Sequence, residues 1–352
     1  MRQETDNPSH EKVSLLGMDL DALIKVAISG GMPSFVGRQL AEWLYKKGAT
    51  DFTRMNNISK KNREWLATNY EIGREKPVQV LKSSDGTEKF IFEGIRSRKI
   101  ESVLIPDHER ATLCVSSQAG CRMNCYFCAT GREGFNGQLP ASKILNQILY
   151  VNGNDSSQSG DELTNIVFMG MGEPLDNYAE VKKVIDVLTS SWGLGWSPKR
   201  ITVSTVGNLP HLKDLLDDTK VHVAISLHLP DPELRSQMMP AQKAFSISSV
   251  IKLLRSYDFS HQRRLSFEYI MWRGVNDDID SAKALVSLIR GMECRVNLIR
   301  YHNVPGVELK PATEERMLMF RNYLNSQGII CTIRASRGED IMAACGMLSG
   351  KC

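Results

Sequence analysis

No stretch of the 352-residue chain approaches the ~20 consecutive apolar residues that a membrane-spanning helix requires. Residues 1–12 are polar and charged, without the apolar core of a signal peptide. Cysteine is scarce for this length, eight in all, which argues against a fold stapled by disulfides. A large excess of either charge is missing as well. The formal net charge of +4 is only mildly basic and does not by itself demand nucleic acid. No internal repeat is visible, which speaks against a solenoid or propeller. What remains is ordinary for a soluble protein: 42% hydrophobic and 24% charged residues, on a chain long enough for one large domain or two unequal ones.

The scarce cysteines are concentrated. Cys121-Arg122-Met123-Asn124-Cys125-Tyr126-Phe127-Cys128 places three of them at C-x3-C-x2-C spacing. Three thiolates in eight residues can hold three irons of a [4Fe–4S] cluster. The fourth iron then has no local ligand and is open to the amino and carboxylate groups of S-adenosylmethionine. A zinc knuckle is the alternative, but zinc sites usually show two C-x2-C pairs or Cys with His at set spacing. The spacing, with an aromatic just before the last cysteine, resembles the signature of the radical S-adenosylmethionine superfamily. Such a loop would not survive an oxidising compartment, so the chain reads as cytoplasmic.

In order along the chain, residues 1–14 read as a frayed tail. Residues 19–24 open a helical pattern that Gly30, Gly31 and Pro33 break. Val36, Leu40, Trp43 and Leu44 share a face of a second helix ending near Gly48, and Ser59 is an N-cap candidate for a third. Residues 1–76 are thus expected to form a small helical module. Its Arg38, Lys46, Lys47, Arg54, Lys60, Lys61 and Arg63 are either solvated helix faces or, as a group, a track for phosphates. Residues 77–106 read as a hairpin, 78–82 and 89–92 around Ser83-Ser84-Asp85-Gly86-Thr87, followed by a strand at 100–105. From 107 to 352, strand runs at 111–115, 166–169, 201–204, 221–226, 265–270, 295–299 and 330–333 alternate with helical stretches at 141–151, 178–188, 211–216, 248–257, 281–292 and 314–327. Polar loops are expected at 152–162 and 190–198. This alternation predicts an α/β fold, βα units forming a barrel or partial barrel with active residues at the carboxyl ends of the strands.

The order of motifs goes beyond a generic cluster loop. Cys114-Val115-Ser116-Ser117-Gln118-Ala119-Gly120 leads into the cysteines, and Phe168-Met169-Gly170-Met171-Gly172-Glu173-Pro174-Leu175 follows the next strand. Then come Ser226-Leu227-His228, Arg235, Met239-Pro240, Gly274-Val275-Asn276-Asp277, Val296-Asn297-Leu298-Ile299, Arg334, Arg337-Gly338-Glu339-Asp340 and Ala343-Ala344-Cys345-Gly346. From about residue 15 to 350 the chain resembles the bacterial radical S-adenosylmethionine RNA methylases that place a methyl on C2 of adenosine, in 23S ribosomal RNA (adenosine 2503) and in transfer RNA (adenosine 37). The resemblance implies a radical S-adenosylmethionine partial (β/α)6-type barrel with Cys121, Cys125 and Cys128 as cluster ligands. It implies cofactor contacts at Gly172, Glu173, Ser204, Ser226, Leu227, His228 and His302. At His302 the family usually has Asn, which Asn303 could replace, and Gly137 stands where many relatives have Arg. An electron donor of the flavodoxin or ferredoxin kind is implied as a partner, with a monomeric protein and no membrane.

C2 of adenine is a poor nucleophile, whereas a thiolate accepts a methyl group readily. The resemblance gives the methyl-carrier role to Cys345 and the resolving role, through a transient disulfide, to Cys114. It makes Glu101 the acceptor of the C2 proton. By residue type alone, Glu101 is a charge on the exposed face of a strand, and Cys114 and Cys345 are buried structural thiols. Cys294 and Cys331 are taken as core and Cys352 as incidental. The sister group that methylates C8 of the same adenosine and confers antibiotic resistance is a rival, and Leu298-Ile299-Arg300-Tyr301 has some of its character. Gly172-Glu173-Pro174 and the terminal Arg-Gly-Glu-Asp resemble the C2 enzymes better. A non-catalytic iron–sulfur RNA-binding protein is a second rival. A radical enzyme acting on protein or small molecules is a third, and retention of Cys114 and Cys345 argues against it.

Overall fold

The computed structural model describes residues 12–153, 163–261 and 263–350. Asp19 ends the first loop by accepting from the Ala22 amide, and α1 (Leu20–Ser29) follows. Helix α2 (Phe35–Ala41) runs on through a π turn at Glu42–Lys46 and stops just before Gly48. Ser59 accepts from Asn62 N at 3.3 Å and starts α3 (Lys60–Asn69). The expectation of a frayed tail fails for the residues that are described, positions 1–11 lying outside them. β1 (Val13–Ser14) pairs in parallel with β2 (Tyr70–Glu71), and Leu15 and Leu16 are buried. The amide ladder returns the far end of the module to its beginning. Part of the 152–162 loop, positions 154–162, also lies outside the described residues.

Among the described residues, ten of the twelve remaining strands build one sheet. β3 (Gln79–Lys82), β4 (Glu88–Glu93), β5 (Lys99–Asp107) and β6 (Arg110–Cys114) are joined antiparallel. β6 then pairs in parallel with β9 (Asn165–Phe168), having left the sheet for the short antiparallel pair β7 (Gln118–Gly120) and β8 (Phe135–Gln138) and the helices α4 (Ala129–Arg132) and α5 (Ala141–Asn152). Parallel pairing continues through β10 (Ile201–Thr205), β11 (His222–Ser226), β12 (Leu265–Met271), β13 (Arg295–Arg300) and β14 (Ile330–Ile333). Between these strands run α6 (Tyr178–Thr189), α7 (Leu209–Asp218), α8 (Pro232–Met238), α9 (Ile247–Leu254), α10 (Ile279–Ile289) and α11 (Glu314–Ser326). The order β14-β13-β12-β11-β10-β9-β6-β5-β4-β3 is that of an open, partial barrel whose hairpin strands extend the same sheet.

A parallel strand can be covered on both faces, which is why these read as continuous apolar runs. Ile166, Val203, Val223, Phe267 and Val296 are fully or almost fully buried in one continuous core that also takes in Leu23 and Leu40 of the helical module. Helix α8 has no counterpart among the predicted elements. Seven residues are too few to show a period, although Asp231 caps it from Leu234 N and Pro232 occupies its first turn. β5 departs from expectation in another way, since Ile100 to Ile105 are not alternately wet and dry. Ile100 and Leu104 enter the main core, and Val103 packs with Ala343 and Leu348 of the C-terminal loop on the other side. No helix among the described residues is long and apolar enough to cross a membrane.

Between β6 and the cysteine loop the chain leaves the sheet, so its peptide groups need other partners. Gln147 of α5, fully buried, supplies them at Ser116: its Oε1 accepts from Ser116 N at 2.9 Å and its Nε2 donates to Ser116 O at 3.0 Å. Gln147→Leu keeps the volume and orphans both groups. It should lower the unfolding free energy by roughly 3 kcal/mol in urea titrations of the cluster-free protein, and a change below ~0.5 kcal/mol would mean that the pairing contributes little.

Candidate active site

The three cysteines of the motif follow β7, and Cys128 occupies the N-cap position of α4. Asn124 turns the loop through a left-handed conformation with φ 48°. All three line one cavity of about 150 Å³ at the carboxyl ends of β9, β10, β11 and β12, and all three are free thiols. Burial pushes Cys121 up to about 12 and raises Cys125 well above the ordinary thiol value, with Cys128 raised too. Thiols so placed resist ionising alone and favour a metal that takes the negative charge. Among the described residues, no three His, Cys, Asp or Glu side chains gather around a point as a single ion would require. Thiolates that bind separate irons of a cluster are spaced more widely, and the loop suits that use. Phe127 closes the site from below, 4.8 Å from the Trp272 ring and 5.2 Å from that of His228.

Opposite the cysteines the strand ends present polar groups. Glu173 is buried, with Oε1 accepting from Leu175 N at 3.1 Å and Oε2 from Val206 N at 2.9 Å. Burial lifts its carboxyl to about 7 against these hydrogen bonds, which favour the ionised form. Gly172 before it has φ +102°, and a Cβ there would lie 2.5 Å from that of Gln118. Only glycine admits this approach. Ser204 and Ser226 end β10 and β11 with their hydroxyl oxygens 3.5 Å apart. His228, at φ 55°, accepts from Ile270 N through Nδ1 at 3.1 Å. Burial, with Arg235 nearby, pushes its pKa down to about 3 and keeps the ring neutral. Leu227 borders this site only through its backbone: its carbonyl is taken by Arg235, and it is absent from the cavity wall.

A second cavity, of about 280 Å³, adjoins the first. Arg110, Arg300, Arg334 and Arg337 line it, with Asp107 as the acidic member. Cys345 and Ile299 border both cavities, so the Cys345 thiol stands where they meet. Cys345 is exposed as a residue, while the atoms packed around its sulfur raise the thiol pKa and Arg334 lowers it. Cys114 is buried at the end of β6, packed with Val103, Met171, Ala343 and Leu348, and burial pushes its thiol up to about 12 with Cys345 as the next cause. His302 lines the arginine-rich cavity, its Nδ1 3.4 Å from Glu339, and takes no part in the wall of the cysteine cavity. Asn303 is exposed and lines neither.

Glu101 is not the exposed strand charge that residue type suggests. It is 1% exposed, with Oε2 3.4 Å from the equally buried Lys89 Nζ and Oε1 accepting from Gly350 N at 2.7 Å. It borders neither cavity. Lys89 also donates to Met342 O, while Asp85 accepts from Gly338 N and Asp340 from Ser83 and Ser84. The hairpin therefore holds the Cys345 loop ahead of the cysteine, and Glu101 of β5 holds it beyond. At Gly137, φ is +146° and a side chain would strike Ile95, so this chain has filled the space differently. Cys331 is buried and Cys294 half-buried against the core, while Cys352 lies outside the described residues.

One residue in the cavity wall escaped sequence reasoning. Glu268 is buried in β12, its Oε1 meeting Ser266, Asn297 and Arg334, while Oε2 has no partner among the described residues. A carboxylate in the middle of the otherwise uncharged Leu265–Met271 was the available signal.

Two family models match the chain: the radical SAM superfamily over residues 115–285 and the ribosomal RNA large subunit methyltransferase N-terminal domain over residues 13–72. A probable dual-specificity RNA methyltransferase RlmN of Porphyromonas gingivalis is 53% identical over 349 residues, covering 99% of this chain and 97% of that protein. One from Bacteroides fragilis is 53% identical over 338 residues, covering 96% of each. Among solved structures, a radical SAM methyltransferase from Sphaerobacter thermophilus superposes with a TM-score of 0.91 at 36% identity, covering 96% of this chain and all of that one. The chain belongs to the RlmN family of dual-specificity RNA methyltransferases, within the radical S-adenosylmethionine superfamily.

Proposed function

We propose that this protein methylates C2 of an adenosine in 23S ribosomal RNA and in transfer RNA, with Cys345 carrying the carbon. The observation that supports this most directly is the position of that thiol, shared by a cavity with a cysteine loop and a cavity rimmed by arginines. Cys121, Cys125 and Cys128 would hold a [4Fe–4S] cluster, and Glu173 would pair with the amino group of S-adenosylmethionine, with Gly172, Ser204, Ser226 and His228 around the rest. Bound there, cluster and cofactor supply a 5′-deoxyadenosyl radical that takes one hydrogen from a methyl group on sulfur. Arg110, Arg300, Arg334 and Arg337 suit the phosphates of a single-stranded or opened segment, whose unstacked adenine enters the larger cavity.

Within this scheme the protein's own groups have separate tasks. Cys345 accepts a methyl group that C2 cannot take directly, then delivers its carbon to the base and becomes joined to the RNA. Glu101 receives the C2 proton, for which the segment around Gly350 must first lift from its carboxylate. Once the electron left over from radical addition has passed to the one-electron carrier, the Cys114 thiolate attacks the Cys345 sulfur: a sulfur–sulfur bond replaces the sulfur–carbon bond, whose electron pair stays with the carbon and takes a solvent proton as its third hydrogen. His302 contributes on the RNA side, since it lines the larger cavity. The reading includes the N-terminal module as an RNA-binding element, an external one-electron donor of flavodoxin or ferredoxin type, a cytoplasmic location and a monomer.

Anaerobic turnover with S-adenosylmethionine deuterated in its methyl group tests this route. The product should be 2-methyladenosine retaining two of the three labels, and Cys345→Ala should give none while keeping its iron. Three retained labels, or 8-methyladenosine, would contradict the proposal. Cys114→Ala should accumulate a covalent protein–RNA adduct, seen as a slow band on denaturing gels. For Glu173 the sign follows from its value near 7 against an ordinary 4.5. The folded chain holds a proton that the unfolded chain releases, so the stabilisation is complete below ~4.5 and is lost as pH rises through ~7. In cluster-free protein, the stability of wild type relative to Glu173→Gln should fall by about 3 kcal/mol between pH 4.5 and 8, measured by urea unfolding.

A further inference from the structure

Arg235 of α8 is completely buried. Its Nε donates to Leu227 O at 3.1 Å, Nη1 to Gln242 Oε1 at 2.9 Å, and Nη2 to Ser226 O at 3.0 Å and Val206 O at 3.2 Å. Every acceptor is uncharged. Burial pushes the guanidinium down to about 10, so it is still a cation at neutral pH. A buried cation held only by carbonyls keeps a desolvation penalty of several kcal/mol that an anion would offset. Four carbonyl-type acceptors explain its orientation and leave its charge unbalanced.

The missing anion has an evident position. The carboxyl end of α8 supports the cysteine loop directly, Met238 O accepting from Tyr126 N at 2.9 Å. Cys125 packs in one cluster with Met238, Met239 and Val206, and Cys125, Val206 and Ser226 line the same cavity. The guanidinium thus lies just behind the wall nearest Cys125. His228 beside it is neutral, and the two carboxylates of the cavity wall are engaged elsewhere, Glu173 with the amides of Leu175 and Val206 and Glu268 with Ser266, Asn297 and Arg334. A four-iron cluster on three thiolates carries net negative charge, which grows by one on reduction.

We propose that Arg235 is the buried counter-charge of the cluster, and that it makes the one-electron reduction of the cluster more favourable. This rests on the cluster reading above. Charge and burial around an iron–sulfur centre are established levers on its potential. A role confined to tying β10 to β11 would affect stability and leave the potential alone.

The test is an EPR-monitored dithionite titration of anaerobically reconstituted wild type, Arg235→Lys and Arg235→Gln, with iron and sulfide counted in each. The Gln variant should bind a full cluster and be about tenfold harder to reduce, equivalent to ~59 mV for one electron. The Lys variant should melt at lower temperature, having lost the fork of hydrogen bonds, and keep a potential close to that of wild type. A fully loaded Gln variant with the wild-type potential overturns the inference. Should that variant not fold, the Lys variant decides: a wild-type potential supports the charge, and one as hard to reduce as predicted for Gln overturns it. Wild type that binds no four-iron cluster would instead defeat the underlying cluster reading.

Discussion

Parallel strands that stop at one level leave their last amides and carbonyls inside the molecule with no further strand to bond. In this protein buried side chains satisfy them. Arg235 takes the carbonyls of Val206, Ser226 and Leu227, and Asn276 takes those of His228 and Ile270 while accepting from Trp272 N. Glu173 accepts from Leu175 and Val206, and the Gln118 side chain accepts from Glu173 N. Each of these groups is worth little when satisfied and costs a great deal when orphaned. The wall of the cysteine cavity is consequently a fixed polar lattice, which is what a site that must place small groups accurately needs.

Against this rigid half stands a fastened one. The loop with Cys345 is attached to β3–β5 through its own Asp340 and through Asp85, Lys89 and Glu101, three side chains that sequence reading assigns to a hairpin and a strand without a joint task. The hairpin is therefore more than a connection between modules. It extends the main sheet and provides the surface on which the loop rests, so that a thiol from the end of the chain reaches strand ends laid down more than a hundred residues earlier.

Helices, strands and the cysteine loop were legible because their causes are local: periodicity, a cap such as Ser59, and spacing. α8 was not, since seven residues carry no period. β1 was missed because two residues pairing with a strand nearly sixty positions away leave no local mark. Site residues divide in the same way. Cysteine spacing announces itself, while the burial of Glu101 depends on Lys89 and Gly350, partners brought by tertiary folding. His302 had been assigned to the cofactor by position in a motif, and the turn after β13 carries it to the neighbouring cavity. Glu268 offered only a polarity anomaly within a strand, which indicates interest and not a role.

Val206 joins two consecutive peptide units, one on either side of its Cα. The N–H of the first donates to the Glu173 carboxylate and the carbonyl of the second accepts from the Arg235 guanidinium, so one short piece of backbone is anchored to a buried acid and to a buried base. A change that shifts this backbone at either anchor therefore displaces the other. The carboxylate beyond β9 and the guanidinium behind the ends of β10 and β11 are thus coupled through a single residue, and any influence between groups bound beside them would be reciprocal.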